Sequence, residues 1–91
     1  MPLEEDARWM FERLEELASK LGVHVRVETL GERDGDLVFQ SGACLLKGER
    51  LVLVDRRLPW SQKCRVLAQA LRKMETSHVF VPPRVRMYLE E

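Results

Sequence analysis

The chain has 91 residues, of which 45% are hydrophobic and 33% charged, with 15 basic residues against 15 acidic ones. This length accommodates one domain with one modest core, and the composition is that of a folded globular protein rather than a disordered or fibrous one. No apolar run approaches the roughly 20 residues that cross a bilayer, and the acidic first residues do not lead into a signal-peptide stretch, so we expect a cytoplasmic protein with no membrane partner.

The first predicted element is an amphipathic helix over residues 3–21. Its apolar residues recur at steps of three and four, which places them on one face. They are Leu3, Ala7, Met10, Phe11, Leu14, Leu17, Ala18 and Leu21. Acidic residues 4–6 suit the positive end of the helix dipole, and Gly22 supplies a left-handed stop.

Three or four strands are predicted next. Val23, Val25 and Val27 alternate with polar residues, which is typical of a strand with one face in the core. Residues 31–36 are rich in turn formers, and strand segments over 37–40 and 43–47 lead through a tight connection at residues 47–50 into a strand over 51–54. Because both strands of this hairpin are apolar nearly throughout, we expect the hairpin at the centre of the sheet with little exposed face.

A second helix is predicted after Pro59, with one face lined by Cys64, Leu67, Ala68, Leu71 and Met74. Residues 79–81 form a short extended segment, and residues 84–90 a final helical turn or two. The predicted fold class is α+β. It comprises an N-terminal helix, a small, mostly antiparallel sheet of three to four strands, and a second helix packed on the sheet, in a single domain over residues 1–91.

Four stretches between residues 41 and 71 together match the sequence pattern of a known protein family. Residues 41–48 read S-G-A-C-L-L-K-G, residues 51–55 read L-V-L-V-D, Leu58-Pro59 follows, and residues 66–71 read V-L-A-Q-A-L. Residues 41–74 thereby resemble the ImmA/IrrE-type metallopeptidase family, in which a similar hairpin leads into a helix carrying H-E-x-x-H. The resemblance implies a minimal zincin-like fold.

The same resemblance implies that the peptidase chemistry is missing. The family's first zinc histidine falls on Gln69, its catalytic glutamate on Ala70 and its second histidine on Lys73. Glutamine is a poor zinc ligand, alanine cannot accept a proton from water, and a lysine ammonium repels a cation. On a helix, positions 69 and 73 would share one face. We therefore predict a protein that is not an enzyme, with no catalytic residue, metal or cofactor.

Other residues do not rebuild a site. His24, Cys44, Glu75 and His78 have no ligand-like spacing, and the serines lack a nucleophile motif. Cys44 and Cys64 lie in apolar sequence outside any C-x-x-C pair, and we expect both to be buried free thiols.

The leading functional hypothesis is a protein-interaction module that forms a homodimer or binds another protein. A small sheet leaves an edge open, and Trp9, Trp60, Met87 and Tyr88 lie near element ends, where they offer apolar surface.

The alternative hypothesis is nucleic-acid binding. Residues 1–45 contain five basic and ten acidic residues, and residues 46–91 contain the reverse. A candidate basic surface comprises Arg56, Arg57, Lys63, Arg65 and Arg72. The zero net charge and the lack of a recognisable nucleic-acid-binding motif place this reading second.

Overall fold

The protein has an α+β fold, which confirms the predicted fold class. The computed structural model describes residues 4–30, 33–34, 37–38 and 42–91. The helices in this part are α1 (Glu4–Lys20), α2 (Trp60–Leu71) and α3 (Pro83–Leu89). The strands are β1 (His24–Glu28), β2 (Arg33–Asp34), β3 (Leu37–Val38), β4 (Gly42–Leu46) and β5 (Glu49–Asp55). None of the described helices is long and apolar enough to cross a membrane.

In the described part of the chain, the main sheet has three strands in the order β1-β5-β4. The central strand, β5, pairs in parallel with β1, where Val25 lies opposite Val52. It pairs in antiparallel with β4, where Ala43 also lies opposite Val52. β2 and β3 form a separate two-stranded antiparallel ladder. The sheet is therefore mixed, with one parallel pairing, because β1 lies on the side of β5 that the hairpin partner β4 leaves free.

The core lies between one face of the sheet and the helices. Phe11 and Leu14 of α1, Leu67 and Leu71 of α2, and β5 residues such as Val52 are buried in one cluster. These are the apolar positions of the helical stripes and of the central strand, so the predicted helix faces are confirmed. Gly22, with φ of 76°, ends α1 in the left-handed conformation that its position predicts.

The prediction that both strands of the hairpin are buried is wrong for β4. Val52 and Val54 of β5 are buried, but residues 43–46 of β4 are exposed, with Leu45 at 71% and Leu46 at 54%. Since β1 takes the other side of β5, β4 is an edge strand within the described part of the chain, and the helices cover it only in part. The predicted strand over residues 37–40 is β3 at 37–38, and its remainder lies outside the described residues.

The two cysteines differ in burial, because one lies on a core helix and the other on the exposed strand β4. Cys64 is buried on α2, and its thiol lies 3.1 Å from the carbonyl oxygen of Ala7. Cys44 lies on β4 and is exposed, so the expectation that both thiols are buried is wrong for Cys44. Both are free thiols.

The C-terminal segment packs back on α2. Val85 of α3 is buried, and Tyr88 and Leu89 are partly buried against the core. Arg72, which follows α2, donates from Nε to the carbonyl oxygen of Leu89 at 2.7 Å and from Nη2 to that of Tyr88 at 3.0 Å. This arginine therefore ties the end of α2 to the end of α3.

Candidate functional site

The three positions that match the zinc-site pattern do not form one site. Gln69 and Ala70 lie on α2, but the helix ends at Leu71 and Lys73 lies beyond it. Gln69 lines a cleft between the three helices, whereas Ala70 and Lys73 line a groove beside β4. The expectation that residues 69 and 73 share a helix face is therefore wrong, because the helix ends two residues before Lys73.

Metal-ligating residue types are dispersed. His24 lies on the face of the sheet that the helices leave open, with Nε2 3.5 Å from a carboxylate oxygen of Glu49. Cys44, Glu75 and His78 line the groove beside β4. Within the described ranges, no three His, Cys, Asp or Glu residues are arranged to hold a metal ion.

The β4 groove is the space of about 720 Å³ between the β4–β5 hairpin, the end of α1 and the segment after α2. It is lined by Leu21, Val23, Ala43, Cys44, Leu45, Arg50, Leu51, Val52, Ala70, Lys73, Met74, Glu75 and His78. Val23 and Val52 are buried and form an apolar floor, whereas Arg50 and Lys73 are exposed. The groove thus combines an apolar base with charged sides.

The acidic residue of this groove, Glu75, already accepts a hydrogen bond within the chain. The carboxylate of Glu75 accepts a hydrogen bond from the backbone N–H of Ser77 at 2.7 Å. This hydrogen bond lowers the pKa of Glu75 below its ordinary value, so the side chain carries a negative charge at neutral pH.

Lys63 does not belong to a basic surface. It is 6% exposed, and its Nζ donates to the carbonyl oxygens of Arg56, at 2.8 Å, and Leu58. The same ammonium lies 4.5 Å from the centre of the Trp60 ring. Lys63 therefore holds the β5–α2 connection together, and its charge is turned away from solvent.

The remaining residues of the candidate basic surface fall into two separate groups. Arg56 and Arg57 follow β5; Arg56 donates to the carbonyl oxygen of Val27 at 3.2 Å, and Arg57 donates to that of Leu30. Arg65 and Arg72 line the cleft between the helices instead. The structure therefore does not gather the five residues on one surface.

Arg57 also stabilises the carboxylate at the end of β5. Its Nε and Nη2 lie 3.1 Å and 2.9 Å from the two oxygens of Asp55, and its backbone N–H donates to the same side chain at 2.9 Å. Hydrogen bonds from the Arg57 side chain, and then from its backbone, lower the pKa of Asp55 to about 2.

The Asp55 contact predicts a defined pH dependence. Because the pKa of Asp55 is lower in the folded state, its contribution is present above the unfolded-state value of about 3.9 and is lost as the pH falls towards 2. We expect Asp55→Asn to be less stable than the parent at pH 7, with a difference that shrinks between about pH 4 and pH 2. Urea unfolding at a series of pH values measures this, and a constant difference would contradict it.

The aromatic residues contribute less open surface than the sequence predicts. Trp9 is partly buried, with the guanidinium carbons of Arg13 and Arg84 at 5.5 Å and 4.8 Å from its ring centre. The Trp60 ring centre lies 5.6 Å from that of Phe11, and Tyr88 is partly buried. Of the four expected residues, Met87 alone is strongly exposed, at 68%. Among the residues whose burial the structure describes, the large exposed apolar side chains are Leu45, Leu46, Phe80 and Met87.

The backbone of β4 has one edge that no other described strand covers, although the sequence predicts this strand inside the sheet. Among the described residues β4 pairs with β5 alone. Lys47 and Gly48 have φ of 53° and 79°, as in a two-residue type I′ turn, and Leu46 lies opposite Glu49 as the closing hydrogen-bonded pair. Hydrogen-bonded pairs alternate along an antiparallel ladder, so Cys44 also bonds to β5. The N–H and C=O groups of Ala43 and Leu45 therefore point outward and define the outer edge of β4.

Comparison of this chain with known protein families, with curated proteins and with solved structures finds no match. The relationship to the ImmA/IrrE-type metallopeptidases therefore stays a prediction from residues 41–74.

Proposed function

We propose that this chain is a non-enzymatic self-association module that forms a homodimer through the outer edge of β4. The observation that carries the proposal is an uncharged edge strand whose Leu45 and Leu46 are 71% and 54% exposed. An exposed apolar strand with unpaired backbone groups is a ready template for a second strand. A cytoplasmic location belongs to the same proposal, since both cysteines are free thiols.

A two-fold axis fits this edge well. The outward groups belong to Ala43 and Leu45, so an antiparallel partner would pair Ala43 with the partner's Leu45 and Leu45 with the partner's Ala43. The axis then passes beside Cys44, and the two three-stranded sheets join into one sheet of six. This arrangement satisfies backbone groups and covers leucine side chains in one step.

The zincin-like ancestry is part of this proposal. Gln69, Ala70 and Lys73 supply neither zinc ligands nor a general base, which leaves the scaffold without the family's chemistry. Nucleic-acid binding is the weaker alternative, because Lys63 is buried and the guanidinium groups of Arg56, Arg57 and Arg72 donate to backbone carbonyls.

The proposal is tested by the oligomeric state of three proteins. We expect the parent chain to be a dimer in light scattering at micromolar concentration, and to remain one at about 0.5 M salt, since no charge lies on β4. Leu45→Lys places a charge on the edge and should give a monomer with an unchanged fold. Phe80→Lys is the matched control, because Phe80 is also 71% exposed but lies outside β4.

Two results would overturn the proposal. One is a monomeric parent chain in both low and high salt. The other is a dimer that survives Leu45→Lys and dissociates in Phe80→Lys, which would place the interface at the C-terminal segment.

A further inference from the structure

The two cations of the β4 groove have no partner within the described part of the chain. Arg50 lies on β5 opposite Leu45, and Lys73 follows α2. Neither side chain makes a hydrogen bond or an ion pair among the described residues. Glu75, the acidic residue of the groove, is bound to Ser77 instead. Two positive charges against one negative leave the groove able to attract a single anionic group.

The rest of the groove is apolar and of suitable size. Its volume of about 720 Å³ lies within the range of roughly 300 to 1,000 Å³ that is usual for small-molecule sites. The buried floor of Val23 and Val52 offers hydrocarbon contact, and Ala70 and Met74 add to it from the opposite side. Such sites bind an apolar body and use a few polar groups to fix its orientation.

From this combination we infer that the β4 groove binds a small monocarboxylate with an apolar body, such as a medium-chain fatty acid. The alkyl chain lies on the apolar floor, and the carboxylate lies between Arg50 and Lys73. This site goes beyond the proposed self-association, because its ligand contacts the helix-covered face of the sheet rather than the outer edge of β4.

The test uses sodium decanoate as the probe, below its micelle-forming concentration, with decanol and decyltrimethylammonium as comparison ligands. Backbone amide shifts of the ¹⁵N-labelled full chain report where each ligand binds and how tightly. We expect decanoate to shift the amides of Val23, Ala70 and Met74 and to bind about tenfold more tightly than decanol. The cationic ligand should bind more weakly than either.

Variants separate the two parts of the site. Arg50→Gln combined with Lys73→Gln should remove the preference for decanoate and leave decanol binding unchanged. Lys20→Gln combined with Arg86→Gln is the control, since it changes net charge equally at exposed residues that do not line the groove. Ala70→Leu should weaken both decanoate and decanol by filling part of the groove.

Four results would overturn the inference: no decanoate binding, equal affinity for decanoate and decanol, shifts confined to the cleft between the helices, or an unchanged preference in the double glutamine variant. Light scattering on the same samples reports the oligomeric state. A dimer that does not bind decanoate would remove this inference alone, whereas a monomer that binds decanoate would remove the proposed self-association alone.

Discussion

Replacing Leu67 with alanine should lower the free energy of unfolding by about 2 to 5 kcal/mol. The Leu67 side chain is 0% exposed and belongs to the cluster that α1, α2 and β5 share. Truncation removes the transfer free energy of the lost carbons and leaves a cavity that two helices and a sheet can close only in part. For a domain of this size, each kcal/mol lowers the melting temperature by about 4 to 8 °C.

Urea unfolding at a fixed protein concentration measures this effect, with the midpoint and slope compared between variants. Met87→Ala is the control, because Met87 is also apolar and helical but 68% exposed. We expect it to change the free energy of unfolding by less than about 0.5 kcal/mol. A Leu67→Ala melting temperature within a degree of the parent's would contradict the central position of α2 in the core.

The helices could be predicted because their signals are local. The apolar stripe of α1 repeats over its whole length, and the acidic start and Gly22 mark its ends. The face of α2 follows in the same way from residues such as Leu67 and Leu71. The turn at Lys47 and Gly48 is equally local, so the β4–β5 hairpin was also predictable.

The position of the hairpin in the sheet could not be predicted because it depends on distant pairing. An alternating strand such as β1 reveals which of its residues face the core, but not which strand it joins. Once β1 pairs in parallel with β5, β4 is left at the edge and its apolar side chains are exposed. The sequence of β4 therefore predicts a core strand, whereas in the structure residues such as Leu45 and Leu46 are exposed.

The candidate sites depended on tertiary contacts in the same way. The residues after Leu71 continue a helical pattern, and the end of α2 coincides with the contact of Arg72 with the carbonyl groups of α3. In the sequence, Lys63 is typical of a surface cation. In the structure, its ammonium donates to the carbonyl groups of Arg56 and Leu58. Neither contact can be predicted from the spacing of apolar residues, because each depends on how the folded chain brings a side chain to a backbone carbonyl.

The proposed dimer makes a sharp prediction for Cys44, which is an exposed free thiol at the middle of β4. Because Cys44 bonds to β5 on its inner side, it would form a non-hydrogen-bonded pair with Cys44 of the partner subunit across the two-fold axis. Opposing Cα atoms in such a pair are about 4.5 Å apart, within the roughly 4.4 to 6.8 Å that a disulfide spans. Mild oxidation should therefore convert most of the parent chain into a covalent dimer.

A matched variant separates this register from random contact between exposed thiols. Moving the thiol by combining Cys44→Ser with Leu46→Cys keeps it on the same exposed face of β4, two residues from the axis. The two thiols would then lie roughly 14 Å apart along the strands, at about 3.4 Å per residue, which is too far for a disulfide. We expect rapid linkage through Cys44, little through position 46, and none through the buried Cys64 when Cys44→Ser is the only change. Equal disulfide formation at positions 44 and 46 in non-reducing electrophoresis would show that the strands do not pair in this register. Only a two-fold axis beside Cys44 brings the thiols at position 44 within bonding distance and keeps those at position 46 apart.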